Sequence, residues 1–112
     1  MNNVMTIDGQ KAVIIYDPEI NLFRGEFIGL NGSADFYASD IARLESEGRR
    51  SLQVFLETCK EEGISPHKAY SGKFNVRVPP ELHAESVLAA TAAGMSLNDW
   101  LKAAIVHELR ST

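Results

Sequence analysis

The alternation of apolar and polar positions first predicts a small sheet. Residues 12–16, 22–30 and 34–37 form short apolar segments rich in β-branched and aromatic residues, as is typical of strands. Turn residues separate the segments, with Asp-Pro-Glu at 17–19 and Asn-Gly at 31–32. Because these connections are short, the pattern predicts an antiparallel meander of three strands.

A long segment with apolar residues at helical spacing follows at residues 40–62. Ser39 or Asp40 can cap its start, and Gly63 ends it. With Gly48 on the same face, one apolar stripe contains Ile41, Leu44, Leu52, Phe55, Leu56 and Cys59. One helix covering a small antiparallel sheet predicts an α+β unit over residues 1–65, followed by a linker at 66–72.

A different pattern begins at residue 73. Residues 73–78, the ribbon segment, alternate strictly, which predicts a strand with one apolar and one polar face. Its apolar face consists of Phe74, Val76 and Val78, and its polar face of Lys73, Asn75 and Arg77. Two prolines end the strand, and a helix is predicted from about Pro80 to Ala93, before Gly94.

Ser96 begins a last helix, with Asp99 three residues later as in a capping box. Leu97, Trp100 and Leu101 begin the apolar stripe of this helix. The order over residues 73–112 is therefore strand, helix, helix.

The ribbon segment has no partner strand within its own domain and cannot bury its apolar face alone. A two-fold dimer solves both problems, because the same strand of two chains pairs antiparallel and four helices cover the apolar face. The dimer core is then predicted from Phe74, Val76, Val78, Leu97, Trp100 and Leu101. The opposite face presents Lys73, Asn75 and Arg77 twice, and these residue types suit base edges in the DNA major groove.

Charge supports two parts with different partners. The net charge of the 112 residues is −4, but residues 1–65 carry −5 and residues 66–112 carry +1. Cys59 is the only cysteine, so the sequence predicts neither an internal disulfide nor a zinc site, and no cofactor is expected. There is no long apolar run and no secretory signal pattern, so we expect a cytoplasmic protein without a membrane partner.

The sequence at 73–80, KFNVRVPP, with Gly94-x-Ser96-x-Asn98, closely resembles the ribbon-helix-helix repressors such as Arc. That resemblance implies that Lys73, Asn75 and Arg77 contact bases, while Ser96 and Asn98 seat a phosphate at the start of the last helix. It also implies operator DNA as a ligand and a homodimer, or a higher even oligomer, as the assembly.

The resemblance extends upstream to the HicB antitoxins. It rests on the segments 16–19 (YDPE), 27–30 (FIGL) and 51–57 (SLQVFLE), and on Pro66-x-Lys68-x-Tyr70-Ser71-Gly72-Lys73. It implies a truncated RNase H-like N-terminal module that binds HicA, a small basic RNA-cleaving toxin, joined to a ribbon-helix-helix domain at residues 73–112. A type II antitoxin that also represses transcription is the function it implies.

Three alternatives remain at this point. The chain can be a ribbon-helix-helix repressor without a toxin, or the ribbon can be a dimerisation device without DNA contact. An RNase H-like nuclease is disfavoured, because two-metal chemistry needs converging carboxylates and the acidic residues resemble turn, cap or short-strand residues. These carboxylates are Asp17, Glu19, Glu26, Asp35 and Asp40. We therefore expect a protein without catalytic residues or a bound metal.

Overall fold

The computed structural model of the chain describes residues 3–111. It divides into two compact units, Met1–Ser71 and Gly72–Thr112. The described part of the N-terminal unit has four strands and one helix, and that of the C-terminal unit has two helices. The α+β class and the small antiparallel sheet expected from the sequence are confirmed.

The sheet contains β1 (Val4–Ile7), β2 (Gln10–Asp17), β3 (Leu22–Phe27) and β4 (Asp35–Ala38). Each strand pairs antiparallel with its neighbour in sequence, in the order β1-β2-β3-β4. The predicted meander is therefore confirmed, with one strand more than the sequence analysis assigned.

The additional strand is β1, and a tight hairpin joins it to β2. Asp8 and Gly9 form the turn, with φ of 48° and 85°. Two consecutive positive φ angles are typical of a type I′ turn, in which Asp-Gly is a preferred pair. The dipeptide was therefore a usable signal for β1, and the sequence analysis missed it.

The chain reverses at the predicted turn residues Asn31-Gly32, but the connection is a loop over residues 28–34, because β3 ends at Phe27 and not at Leu30 as predicted. Asn31 also holds the chain that follows the helix. Its backbone N–H donates to the Pro66 carbonyl at 2.9 Å, and its side-chain amide donates to the carbonyls of Ser65 at 2.8 Å and His67 at 3.1 Å. Part of the segment predicted as a linker is thus hydrogen-bonded to the N-terminal unit.

The helix in the described part of this unit, α1, spans Ile41–Glu62 and packs mainly on β4 and β3. As predicted, Asp40 caps its start by accepting from the Arg43 N–H at 2.8 Å, and Gly63 ends it with a left-handed φ of 68°. The buried residues of the predicted stripe are Leu44, Gly48, Leu52 and Cys59, whereas Ile41 and Leu56 are exposed.

The core lies between the inner face of the sheet and α1. Phe36 on β4 is buried at its centre and is the cross-strand partner of Gly25 on β3. A Cβ atom on Gly25 would lie 2.2 Å from the Phe36 ring, and one on Gly48 of α1 would lie 2.8 Å from it. Two glycines on opposite sides therefore leave the space that the ring fills.

The C-terminal unit contains α2 (Pro80–Ala92) and α3 (Leu97–Arg110), in agreement with the predicted helices. Gly94 has a φ of 70°, as expected for a residue that ends a helix. Ser96 accepts a hydrogen bond from the Asp99 N–H at 3.1 Å, which confirms its predicted role as the cap of α3.

Candidate functional site

The ribbon segment is exposed along its whole length in the single chain. Residues 73–79 belong to no helix or paired strand, and Phe74 and Val76 are 72% and 64% exposed. Val78, the third residue of the predicted apolar face, is also exposed. Exposed aromatic and β-branched side chains in succession are typical of a surface that another chain covers.

The two helices of the C-terminal unit also leave apolar surface uncovered. Ala90 is the only buried residue of α2, and α3 has none. Of the predicted dimer core on α3, Leu97 and Trp100 are partly buried and Leu101 is exposed. Further exposed apolar residues of these helices and their connection are Leu82, Val87, Leu88, Met95, Ile105, Val106 and Leu109. The C-terminal unit therefore carries many apolar side chains but buries few of them within a single chain.

The predicted base-contacting residues share the ribbon segment. Lys73, Asn75 and Arg77 are all exposed, and residues 66–78 contain three basic residues and no acidic one. The three residues alternate along one exposed segment, which is not paired as a strand in the single chain. That they share one face of a strand therefore stays a prediction.

The predicted phosphate seat lies at the start of α3. Ser96 has extended backbone angles before the first helical residue, as a capping residue does, and Asn98 is exposed in the first turn. The N–H groups of a first helical turn point outward and attract anions. Asp99 adds a carboxylate to the same turn, which opposes that attraction.

Four of the five carboxylates weighed for a metal site, all but Glu19, have structural partners in the described part of the chain. Asp17 accepts from the Glu19 N–H at 3.0 Å, which is a turn role, and Asp40 caps α1. The Arg24 guanidinium donates from Nη2 to Oδ2 of the Asp35 carboxylate at 2.7 Å. This hydrogen bond, together with the negative charge of Asp35, raises the pKa of Arg24. No group of three or more histidine, cysteine or acidic side chains within residues 3–111 is arranged to hold a metal ion.

A groove between β4 and α1, the edge groove, is a feature that the sequence analysis missed. β4 is the last strand of the sheet, and a cavity of about 720 Å³ follows its outer edge. Its lining residues from the strand side are 33–37, and those from α1 are Glu47, Arg50, Ser51, Val54, Phe55 and Thr58. The predicted meander already placed this strand at an edge of the sheet, but the packing of α1 beside it, which forms the groove, was not predictable from the sequence pattern.

Comparison with known proteins gives one match. Residues 55–105 match the model of the HicB family. The matched segment covers the end of α1, the ribbon segment, α2 and most of α3. No curated protein and no solved structure gives a significant match.

Proposed function

The chain belongs to the HicB family by the match of residues 55–105, and on this premise we propose that it is a type II antitoxin that also represses transcription. Family membership implies a function related to toxin–antitoxin systems and a toxin partner in general. In the proposal, the N-terminal module binds a HicA-like RNA-cleaving toxin, and residues 73–112 bind operator DNA in the cytoplasm. The protein acts by binding, without a catalytic step or a cofactor.

The observation that carries the proposal is the uncovered apolar surface of the C-terminal unit. Phe74, Val76 and Leu101 are exposed in one chain, although side chains of this kind stabilise a domain mainly when they are buried. A second copy supplies both the missing strand partner of the ribbon segment and the missing cover for α2 and α3. The proposed assembly is therefore a ribbon-helix-helix homodimer or a higher even oligomer.

Dimer formation gives the polar face of the ribbon its proposed role. A two-stranded antiparallel ribbon fits the major groove, where Arg and Lys pair with guanine and Asn pairs with adenine. Lys73, Asn75 and Arg77 are of these types and are exposed. The start of α3, with Ser96 and Asn98, would contact the DNA backbone and fix the position of the ribbon.

The N-terminal unit has a charge suited to the proposed toxin. Residues 1–71 contain seven Lys and Arg residues and eleven Asp and Glu residues, a net charge of −4. An acidic surface attracts a basic partner and accelerates its association. This unit also contains the edge groove, so charge and shape occur in the same part of the chain.

The DNA-binding part is tested with Arg77→Ala in the full chain, using Arg110→Ala as a control that removes the same charge from the end of α3. Arg77→Ala should weaken binding to the DNA upstream of the protein's own gene by roughly 1–3 kcal/mol per base contact. Binding to random DNA should change much less, and Arg110→Ala should not alter the ratio of the two affinities. Fluorescence anisotropy over a salt series measures both.

The same titrations distinguish the alternatives. Equal losses on both DNA sequences would make Arg77 a phosphate contact rather than a base contact. If neither Arg77→Ala nor Asn75→Ala changes any DNA affinity, the ribbon only joins two chains and the repressor assignment is wrong. Specific DNA binding by a chain that does not bind the small basic protein encoded beside it would favour a repressor without a toxin.

A further inference from the structure

The outer edge of β4 presents backbone groups that no neighbouring strand uses. The Phe27 N–H donates to the Ala34 carbonyl, so in this antiparallel pair residues 34, 36 and 38 face β3. The N–H and C=O groups of Asp35 and Tyr37 therefore point away from the sheet. Such an edge is a template for pairing with an additional strand.

The edge groove lies along these groups and has an apolar wall. Val54 on α1 lines it and is 59% exposed, although it is β-branched and lies on a helix that packs on the sheet. Phe55 lies next to it, and a Cβ on Gly32 would come within 2.9 Å of the Phe55 ring. The Ser51 hydroxyl reaches the Asp35 carbonyl at 3.5 Å, the upper limit of a hydrogen bond.

An edge strand beside a helix, with a groove between them, is the arrangement in which domains bind an extended peptide by strand addition. Main-chain hydrogen bonds provide affinity in this mode, and pockets for alternate side chains provide specificity. Here the main-chain groups are the Asp35 N–H and the N–H and C=O of Tyr37, since the Asp35 carbonyl already accepts a long hydrogen bond from Ser51. The side-chain wall is formed by Val54 and Phe55.

We propose that an extended segment of the toxin adds to β4 as a fifth strand and places an apolar side chain against Val54 and Phe55 of α1. This inference rests on the proposed function, and it assigns the toxin site to one edge of the sheet. The net charge of the N-terminal unit favours a basic partner over a second copy of this chain. The unit carries −4, so it attracts a basic protein, whereas the same units of two copies repel each other. Glu47 and Arg50 both line the groove and lie 3.9 Å apart as an ion pair, so the attraction comes from the net charge of the unit and not from a local acidic group.

The test uses Tyr37→Pro in the full chain. The Tyr37 N–H points away from β3, so proline removes a donor for an added strand without removing a hydrogen bond of the sheet. Two variants serve as controls. Tyr37→Ala keeps the N–H at position 37. Thr6→Pro removes an outward-pointing N–H from β1, the strand at the opposite edge of the sheet. The Ile14 N–H donates to the Asn3 carbonyl, so residues 3, 5 and 7 face β2 and Thr6 faces away from it.

Affinity for the purified small basic protein encoded by the neighbouring gene is measured by calorimetry. Tyr37→Pro should lower it at least about tenfold, since one main-chain donor and the fit of the strand are lost. Thr6→Pro should change it by less than about threefold, and Tyr37→Ala should have a smaller effect than the proline variant. In amide exchange, the N–H of Tyr37 should become protected when the partner binds.

A second pair of variants does not depend on a proline being tolerated. Val54→Lys places a cation and extra bulk in the groove, and Gln53→Lys places the same charge on an exposed position of α1 outside its lining. The first should weaken binding more than the second. A wild-type chain that does not bind overturns both the proposed function and this inference. If the wild-type chain binds and both Tyr37→Pro and Val54→Lys bind equally well, the strand-addition site alone is overturned. The same holds if Tyr37→Pro changes the oligomeric mass of the chain without its partner, because the β4 edge would then pair with a second copy of this chain.

Discussion

Phe36 shows how single residues determine the packing of the N-terminal unit. Its ring lies over Gly25 across the β3–β4 pair and against Gly48 of the helix. Alanine is the better residue for a helix interior by about 1 kcal/mol, so a glycine at position 48 is unfavourable for α1 taken alone. The close approach of the ring explains why a residue without a side chain is favoured there.

Gly25→Ala should therefore destabilise the N-terminal unit by roughly 1–3 kcal/mol, because the added methyl group overlaps three atoms of the Phe36 ring. Urea unfolding followed by circular dichroism measures the change. Phe36→Leu in the same chain provides the control, since a smaller side chain at position 36 leaves room for the methyl group. The double variant should then lose less stability than the sum of the single variants. Strict additivity would show that the two positions do not compete for space.

At the scale of elements, caps were predictable because they depend on a few adjacent residues. Asp40, Gly63 and Ser96 have the cap roles that the sequence indicated. The features that were missed depend on more distant information. The connection at 28–34 is determined by hydrogen bonds from Asn31 to residues 65–67, far away in sequence. The edge groove likewise depends on how α1 packs beside β4, and the proposed pairing of the ribbon segment involves a second chain.

The cap of α3 provides a prediction with a matched control on α2. Ser96→Ala should destabilise the C-terminal unit by about 0.5–2 kcal/mol, because the Asp99 N–H loses its acceptor. Ser86→Ala should be close to neutral, since the Ser86 hydroxyl donates to the Leu82 carbonyl within the helix and caps nothing. Thermal unfolding compares the two. In the proposed repressor, Ser96→Ala should also weaken binding to all DNA sequences by the same factor, and a sequence-dependent loss would contradict a phosphate-contact role.

At the scale of the whole molecule, the exposed apolar surface of the C-terminal unit leads us to expect that its stability depends on the proposed assembly. If two copies share the ribbon, the melting temperature should rise with protein concentration, because association stabilises only the folded state. A monomer whose melting temperature is constant over a hundredfold concentration range would contradict the proposed dimer.

No helix within residues 3–111 is both long and apolar enough to cross a membrane.

Val76→Asp tests which apolar residues form the shared surface. An aspartate there would be buried without a partner in the proposed dimer, so the chain should become monomeric in sedimentation equilibrium. Ile20→Asp is the control, because Ile20 is also exposed in one chain but lies in the turn between β2 and β3, outside the C-terminal unit. It should leave the dimer intact. Dissociation by both variants would mean that the shared surface differs from the predicted core.

The meander order of the sheet has a consequence for how fast each half regains its structure after denaturation. Every strand pairs with its neighbour in sequence, so the loops that must close are short and the N-terminal unit should refold by a rapid first-order process. The proposed ribbon pairs only between chains, so its recovery is second order and slows on dilution. After a jump from denaturant, capture of the partner protein should therefore return first, at a rate independent of concentration, and DNA binding should return later, at a rate that falls as the chain is diluted.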